Sequence, residues 1–375
     1  VGSTLKHSAS IFDIFRDITG QEHCGMPTEV FLHIGRHKTG TTALQTYLAA
    51  NRERLAEQGV LYPETGRQGV GHHRIADALN PHFRDPDVYA DLKTAFDQEV
   101  AGWHYVILSS EAFQNIKKGH HLSAFFGEYP VHTICYFREA LEYAQSAYAQ
   151  VVHARGYTKT FKQFIRKDFR PAYAECAKLF ENLSNTCHFR LLERERLVNR
   201  DVVSDFLNIV GLHATGYTPR NFNVSIGGNL LYMKWLVNCA GFHDPCIYWP
   251  LANLALERKA FSSGFSLPPR LQKEVRAHFA HENRFLETRF GSITYRDFGD
   301  QPACPNLEHL PADIALMRVA LAESENDRVQ TWVKAFEHNA AATWLADRAA
   351  DHGPLADCRP SAIKNLYRPD HVDQR

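Results

Sequence analysis

The chain has 375 residues, enough for one large α/β core with an added piece, and its 42 lysines and arginines balance its 42 aspartates and glutamates. That balance excludes a global field that would draw it to nucleic acid or an anionic membrane, so any anion it binds must be held by a local site. Its eight cysteines, Cys24, Cys135, Cys176, Cys187, Cys239, Cys246, Cys304 and Cys358, are scattered with no C-x-x-C pair and no zinc spacing, which reads as reduced thiols rather than a disulfide framework, although Cys239 and Cys246 are close enough in sequence to bridge.

No apolar run reaches the ~18 to 20 residues needed to span a bilayer, and the first 26 residues lack the basic start and apolar stretch of a signal peptide. The expectation is a soluble, cytoplasmic protein with no integral membrane segment. In chain order, the opening segment, 1–27, carries an apolar cluster of Ile11, Phe12, Ile14 and Phe15 suited to a helix docked on the main domain. Val30-Phe31-Leu32-His33-Ile34 is a β-prone run that ends at Gly35. After a polar turn to Gly40, Leu44, Tyr47, Leu48 and Leu55 fall on one face of a helix predicted from about Thr42 to Glu57. Further strands are predicted at Val60 to Tyr62, His104 to Ser109, Val131 to Phe137 and Cys187 to Leu192. Val202, Val203, Phe206, Leu207 and Val210 then mark a helix that stops at Gly211.

Beyond Gly211 the pattern is helical, at Leu230 to Val237 and from about Pro269 to Phe290, followed by a proline-containing linker near Pro302 and Pro305 and a polar tail. The organisation expected is an N-terminal segment (1–27), a main domain (28–300) and a helical C-terminal extension (301–375). Strands alternating with helices predict an α/β fold, a three-layer parallel sheet flanked by helices. Ligands of such sheets sit at the carboxyl ends of the strands, so the residues after Ile34, Leu108 and Phe137 are expected to converge.

The most informative stretch is Gly35-Arg36-His37-Lys38-Thr39-Gly40-Thr41-Thr42, because it follows a strand and opens a helix. Helix N-termini leave backbone N–H groups unpaired, and glycines let those groups curl around an anion. Lys38 adds a point charge, and Thr41 and Thr42 add hydroxyl donors. In a Walker A loop the lysine follows the second glycine; here it precedes Gly40, so it meets a different part of the ligand.

The run His33 to Thr42 resembles the loop that holds the 5′-phosphosulfate in sulfotransferases. Ile134-Cys135-Tyr136-Phe137-Arg138, with Ser146 eight residues after the arginine, resembles that family's 3′-phosphate motif. Looser likenesses at Leu192 to Leu197 and Phe206 to Gly211 extend the resemblance over about Glu29 to Gly211. The resemblance implies the P-loop NTPase-like sulfotransferase fold and a donor, 3′-phosphoadenosine 5′-phosphosulfate, held by Arg36, His37, Lys38, Thr39, Gly40, Thr41, Thr42, Arg138 and Ser146, with no metal. A guanidinium grips a phosphate as a fork and a serine hydroxyl completes the cradle. Asn221 to Gly228 is a polar, glycine-ended loop suited to closing over a nucleotide or to simple connection.

Sulfuryl transfer needs an acceptor in line with sulfur, charge stabilisation on the departing phosphate, which suits Lys38, and a base for the acceptor proton. Glu111 is the first candidate base because it ends the strand that closes with Ser109-Ser110. The family's cytosolic members carry a histidine in a comparable position, and this chain departs from them. His72 and His73 after the second predicted strand, and Glu64, are the alternatives. The partner expected is a small-molecule or saccharide acceptor, chosen by regions around Gly66 to Asp87 and beyond Gly211; Trp103, Trp235 and Trp249 are candidates either to stack on a sugar or to pack. Two other readings share the glycine loop: a P-loop kinase, which requires lysine after the second glycine and an aspartate for Mg²⁺, and a nucleotide- or carbohydrate-binding module without turnover. Nucleic acid is not an expected partner, since Arg190, Arg194, Arg196 and Arg200 are interleaved with Glu193 and Glu195. Nothing in the sequence specifies an oligomeric state.

Overall fold

The structure, a computed structural model, describes residues 27–36, 39–80, 82, 85–117, 119–212, 217, 225–262 and 264–337. The apolar cluster predicted at Ile11 to Phe15 and the loop residues Asn221, Phe222, Asn223 and Val224 lie outside them, as does the polar tail. The elements in order are β1 (Glu29–His33), α1 (Thr41–Ala50), α2 (Arg52–Glu57), β2 (Val60–Leu61), α3 (His73–Ala78), α4 (Pro86–Val100), β3 (Tyr105–Ser109), α5 (His120–Phe126), β4 (Val131–Phe137), α6 (Ala140–Arg155), α7 (Phe161–Lys167), α8 (Tyr173–Glu181), β5 (Thr186–Leu191), α9 (Val202–Ile209), α10 (Gly228–Cys239), α11 (Tyr248–Glu257), α12 (Pro269–His278), α13 (Ala280–Phe290), α14 (Leu310–Ala322) and α15 (Asp327–Glu337). The chain divides into two compact units. One runs to Arg138 and adds Ala172–Asn223 and Phe285–Ser292; the other takes Glu139–Pro171, Val224–Arg284 and the chain from Ile293.

The first unit is the α/β layer structure that the alternation of strands and helices predicts. Its five strands are all parallel in the order β2-β3-β1-β4-β5. Every residue of β3 and β4 is buried, which is what helices on both faces of a parallel sheet require. On one face Phe31, Ile107, Ile134 and Tyr136 pack with Leu44 and Leu48 of α1 and Val203, Phe206 and Leu207 of α9. On the other, Phe137 meets Tyr173 of α8 with ring centroids 5.4 Å apart.

Two helices predicted as single are each broken once. Asn51 adopts φ −115° between α1 and α2, where its backbone N–H and its side-chain amide both donate to the Tyr47 carbonyl. Phe279 (φ −101°) divides α12 from α13. The proline at the start of α4 sits just inside the helix, behind an Asp85 cap that accepts from Asp87 and Val88 N–H. The arginines near β5 lie in ion pairs, Arg196 with Glu193, Arg200 with Glu195 and Arg190 with Asp205. The six described cysteines are free thiols. No helix among the described residues is long and apolar enough to cross a membrane.

The second unit is built around α10, buried from Gly228 to Asn238. Trp235 lies in its core with Nε1 donating to the Lys159 carbonyl, whereas Trp249 on α11 is 71 % exposed; Trp103, in the first unit, is half-buried. Lys234 is 1 % exposed and its Nζ donates to Asn238 Oδ1 and to His243 Nδ1. Burial pulls its pKa from 10.5 to about 8. Below pH 8 the lysine is charged in both folded and unfolded chains and the full burial cost is felt. Between about pH 8 and 10.5 the unfolded chain holds a proton that the folded one has released, so stability rises with pH, by up to about 3 kcal/mol. Urea unfolding of the wild type and Lys234→Met across that window should show the wild type gaining on the variant as pH rises; a constant difference would rule out the buried ammonium as its source.

Candidate functional site

The connection from β1 passes towards β2 on one side of the sheet, while those from β3 and β4 lead the other way. Oppositely directed connections make the carboxyl end of the central strand the switch point of the sheet, the place where ligands of open α/β sheets bind. There the chain must turn from β1 into α1. It does so around the Arg36 carbonyl, which accepts from Thr39 N–H (3.2 Å), Thr39 Oγ1 (2.6 Å) and Thr41 Oγ1 (3.3 Å). Gly40 closes the turn in the left-handed region (φ 82°), and a Cβ there would stand 2.6 Å from Val202 Cγ1 of α9. No side chain caps α1, so its first N–H groups are free of a side-chain acceptor.

The hydroxyls of Thr39 and Thr41 are thus engaged in holding the loop, while Thr42 is exposed. His37 and Lys38 lie outside the described residues. The Arg36 side chain is 5 % exposed, with its guanidinium carbon 4.9 Å from the Tyr173 ring and 5.7 Å from the Phe137 ring. Tyr173 also donates to the Arg138 carbonyl at 2.6 Å, fixing the chain where β4 ends and leaving Arg138 half-buried there. Ser146 is a half-buried residue of α6, in the second unit.

The end of β3 sorts the candidate bases. His72 is fully buried; Ser109 N–H donates to its Nδ1 (3.1 Å), so its Nε2 carries the proton and donates to the Pro63 carbonyl (3.0 Å). Burial lowers its pKa to about 4, and with both nitrogens engaged it has none left to receive a proton. His73 is half-buried, with Nδ1 2.8 Å from Ser110 Oγ. Ser110 Oγ also accepts from Ala112 N–H. Its second lone pair suits the His73 tautomer that keeps Nε2 open as an acceptor. Glu111 is half-buried and accepts from Gln45 Nε2 at 3.2 Å. Glu64 is 64 % exposed and ion-paired with Arg52 and Arg67.

Sequence reasoning missed three supporting residues. Gln45, on α1, is held against Gly71, where a Cβ would come within 2.9 Å of the amide, and it aims Glu111. Ser110 orients His73. His33 is fully buried at the end of β1, with Nδ1 2.8 Å from Ser109 Oγ; burial lowers its pKa to about 3, so it is neutral beneath the loop. The polar pair Ser109-Ser110 closing an apolar strand was the available signal. The turn around the Arg36 carbonyl, Gln45, Glu111 and His73 therefore lie together at the ends of β1 and β3.

No protein-family model matches the sequence, and no curated protein matches it. Among solved structures, a sulfotransferase from Alicyclobacillus acidocaldarius is similar over 70 % of this chain and 96 % of its own, with 17 % identity and a TM-score of 0.42.

Gly40→Ala should test the turn directly. A left-handed alanine and the overlap with Val202 together predict a loss of at least ~2 kcal/mol in folding stability, read by chemical denaturation; a loss below ~0.5 kcal/mol, the range of an ordinary surface substitution, would mean that the loop does not depend on that conformation.

Proposed function

We propose that the chain is a cytoplasmic sulfotransferase that moves a sulfuryl group from 3′-phosphoadenosine 5′-phosphosulfate to a hydroxyl or amine of a small-molecule or saccharide acceptor. The observation that carries this reading is the meeting of a backbone anion loop at the end of β1 with a carboxylate and an imidazole at the end of β3, both half-buried and individually oriented. Arg138, where β4 ends, adds a cation at the next strand along, which suits a second phosphate of the donor.

The residues divide the work as follows. The N–H groups opening α1, with the Thr42 hydroxyl and the Lys38 ammonium, take the phosphosulfate and stabilise charge that grows on the bridging oxygen as the S–O bond breaks. Glu111 receives the acceptor proton while the new S–O bond forms, its carboxylate turned by Gln45. His73 Nε2 is the alternative receiver. His72 and His33 stay neutral and structural. The products are the sulfated acceptor and 3′-phosphoadenosine 5′-phosphate.

Calorimetric titration with 3′-phosphoadenosine 5′-phosphate, AMP and ATP with Mg²⁺ tests the donor without knowledge of the acceptor. Tightest binding of the 3′-phosphorylated nucleotide is expected, with Arg138→Ala weakening it while leaving adenosine 5′-phosphosulfate nearly unchanged. Preference for ATP with Mg²⁺ would replace this reading with a kinase-like one.

Glu111→Gln should keep nucleotide affinity near wild type and reduce turnover by the ~10² to 10⁴-fold that a lost general base costs. Full activity in Glu111→Gln together with such a loss in His73→Gln would transfer the role to the imidazole.

A further inference from the structure

The side chain of Arg36 points away from the anion loop into a cluster of thiols. Register gathers them. Tyr173 and Cys176 are three residues apart on one face of α8, and Cys135 and Phe137 are two apart on one face of β4. Cys187, opposite Thr133 in the β4–β5 ladder, shares that face of the sheet. Arg36 lies over both Tyr173 and Phe137, and both its guanidinium and the Cys135 thiol hydrogen-bond to Cys176. Cys135 is fully buried, whereas Cys176 and Cys187 are partly buried residues.

The three thiols are not equivalent. The hydrogen bond from Cys135 and the charge of Arg36 hold Cys176 at about 7, while burial pushes Cys135 well above the usual thiol range and Cys187 up to about 11. Cys176 is thus the nucleophile of the group at neutral pH, and Cys135 is the sulfur poised to resolve it.

We propose that Cys176 and Cys135 form a peroxide-sensitive thiol pair that governs the anion loop through Arg36. The Cys176 thiolate attacks hydrogen peroxide: an S–O bond forms, the O–O bond breaks and hydroxide leaves. Cys135 sulfur then attacks the sulfenic acid, the S–S bond forms, the S–O bond breaks, and the second hydroxide takes up the Cys135 proton as water. The first hydroxide takes up the proton that Cys176 released on ionising, so overall two thiols give up two electrons and the peroxide becomes two waters. The disulfide is neutral, so the buried guanidinium loses its sulfur anion. Since the Arg36 carbonyl holds Thr39 and Thr41, displacement of Arg36 loosens the loop. The effect on nucleotide binding rests on the function proposed above; formation of the disulfide does not.

The test treats the purified full-length chain with hydrogen peroxide at neutral pH, then maps its peptides by mass spectrometry after alkylation and titrates 3′-phosphoadenosine 5′-phosphate by calorimetry. A Cys135–Cys176 disulfide reversed by dithiothreitol is expected, with affinity about tenfold weaker while it persists. Cys176→Ser should bind alike with and without peroxide, and Cys187→Ser should still form the link. Absence of that link in the wild type, or a link with unchanged affinity, would overturn the proposal even if Cys176→Ser failed to fold. If the reduced wild type bound no nucleotide, the donor reading would fall, and the thiol pair would stand or fall on the mapped disulfide and on whether oxidation shifts the melting temperature.

Discussion

The carbonyl oxygen of Arg36 accepts three hydrogen bonds in a loop of a few residues, and the shape of the candidate site follows from that convergence. One carbonyl holding a backbone N–H and two hydroxyls turns the loop's acceptor inward and leaves the donors at the start of α1 outward. The hydroxyls of Thr39 and Thr41, which an anion-loop pattern assigns to a ligand, are engaged by the protein itself, and the first amides of α1 are left without a side-chain acceptor. Gly40 is required twice over, by its left-handed φ and by Val202 behind it.

Burial sorts the histidines that sequence alone leaves equivalent. A fully enclosed imidazole keeps its proton count fixed, because charging it in a low-dielectric site costs several kcal/mol. His33 and His72 are of this kind, and both are joined to Ser109, so the end of β3 is pinned to β1 on one side and to the 63–72 connection on the other. Of His33, His72 and His73, the last is the one left half-buried. The same strand end thus supplies a rigid, neutral floor and, immediately beside it, the half-buried side chains of His73 and Glu111.

The strand positions, their parallel arrangement and the glycine loop were legible in the sequence because each has a local cause: β-branched and aromatic runs, alternation with helices, and a glycine where φ must be positive. Predicted strand ends fell within one residue of those observed, as at Val131–Phe137 and Tyr105–Ser109. Helix breaks at Asn51 and Phe279 were not legible, since each depends on one residue leaving the helical region within an otherwise continuous pattern. Nor were Gln45 and Gly71, whose packing joins positions far apart in sequence. The division into two units is hidden for a similar reason, because each is assembled from three separated stretches of chain.

An arginine at position 36 does what a lysine there would not. Its planar guanidinium can lie over Tyr173 and Phe137 with little hydration to lose, and still direct N–H groups at a sulfur. A lysine ammonium is a compact, strongly hydrated charge and would be drawn back to water or give up its proton. Because the same residue offers its carbonyl to the loop and its side chain to the far face of the sheet, the loop's geometry and the chemistry of the thiols are joined through one backbone unit. Whatever moves Arg36 therefore acts at once on the hydrogen bonds of Thr39 and Thr41 and on the sulfur beside its guanidinium.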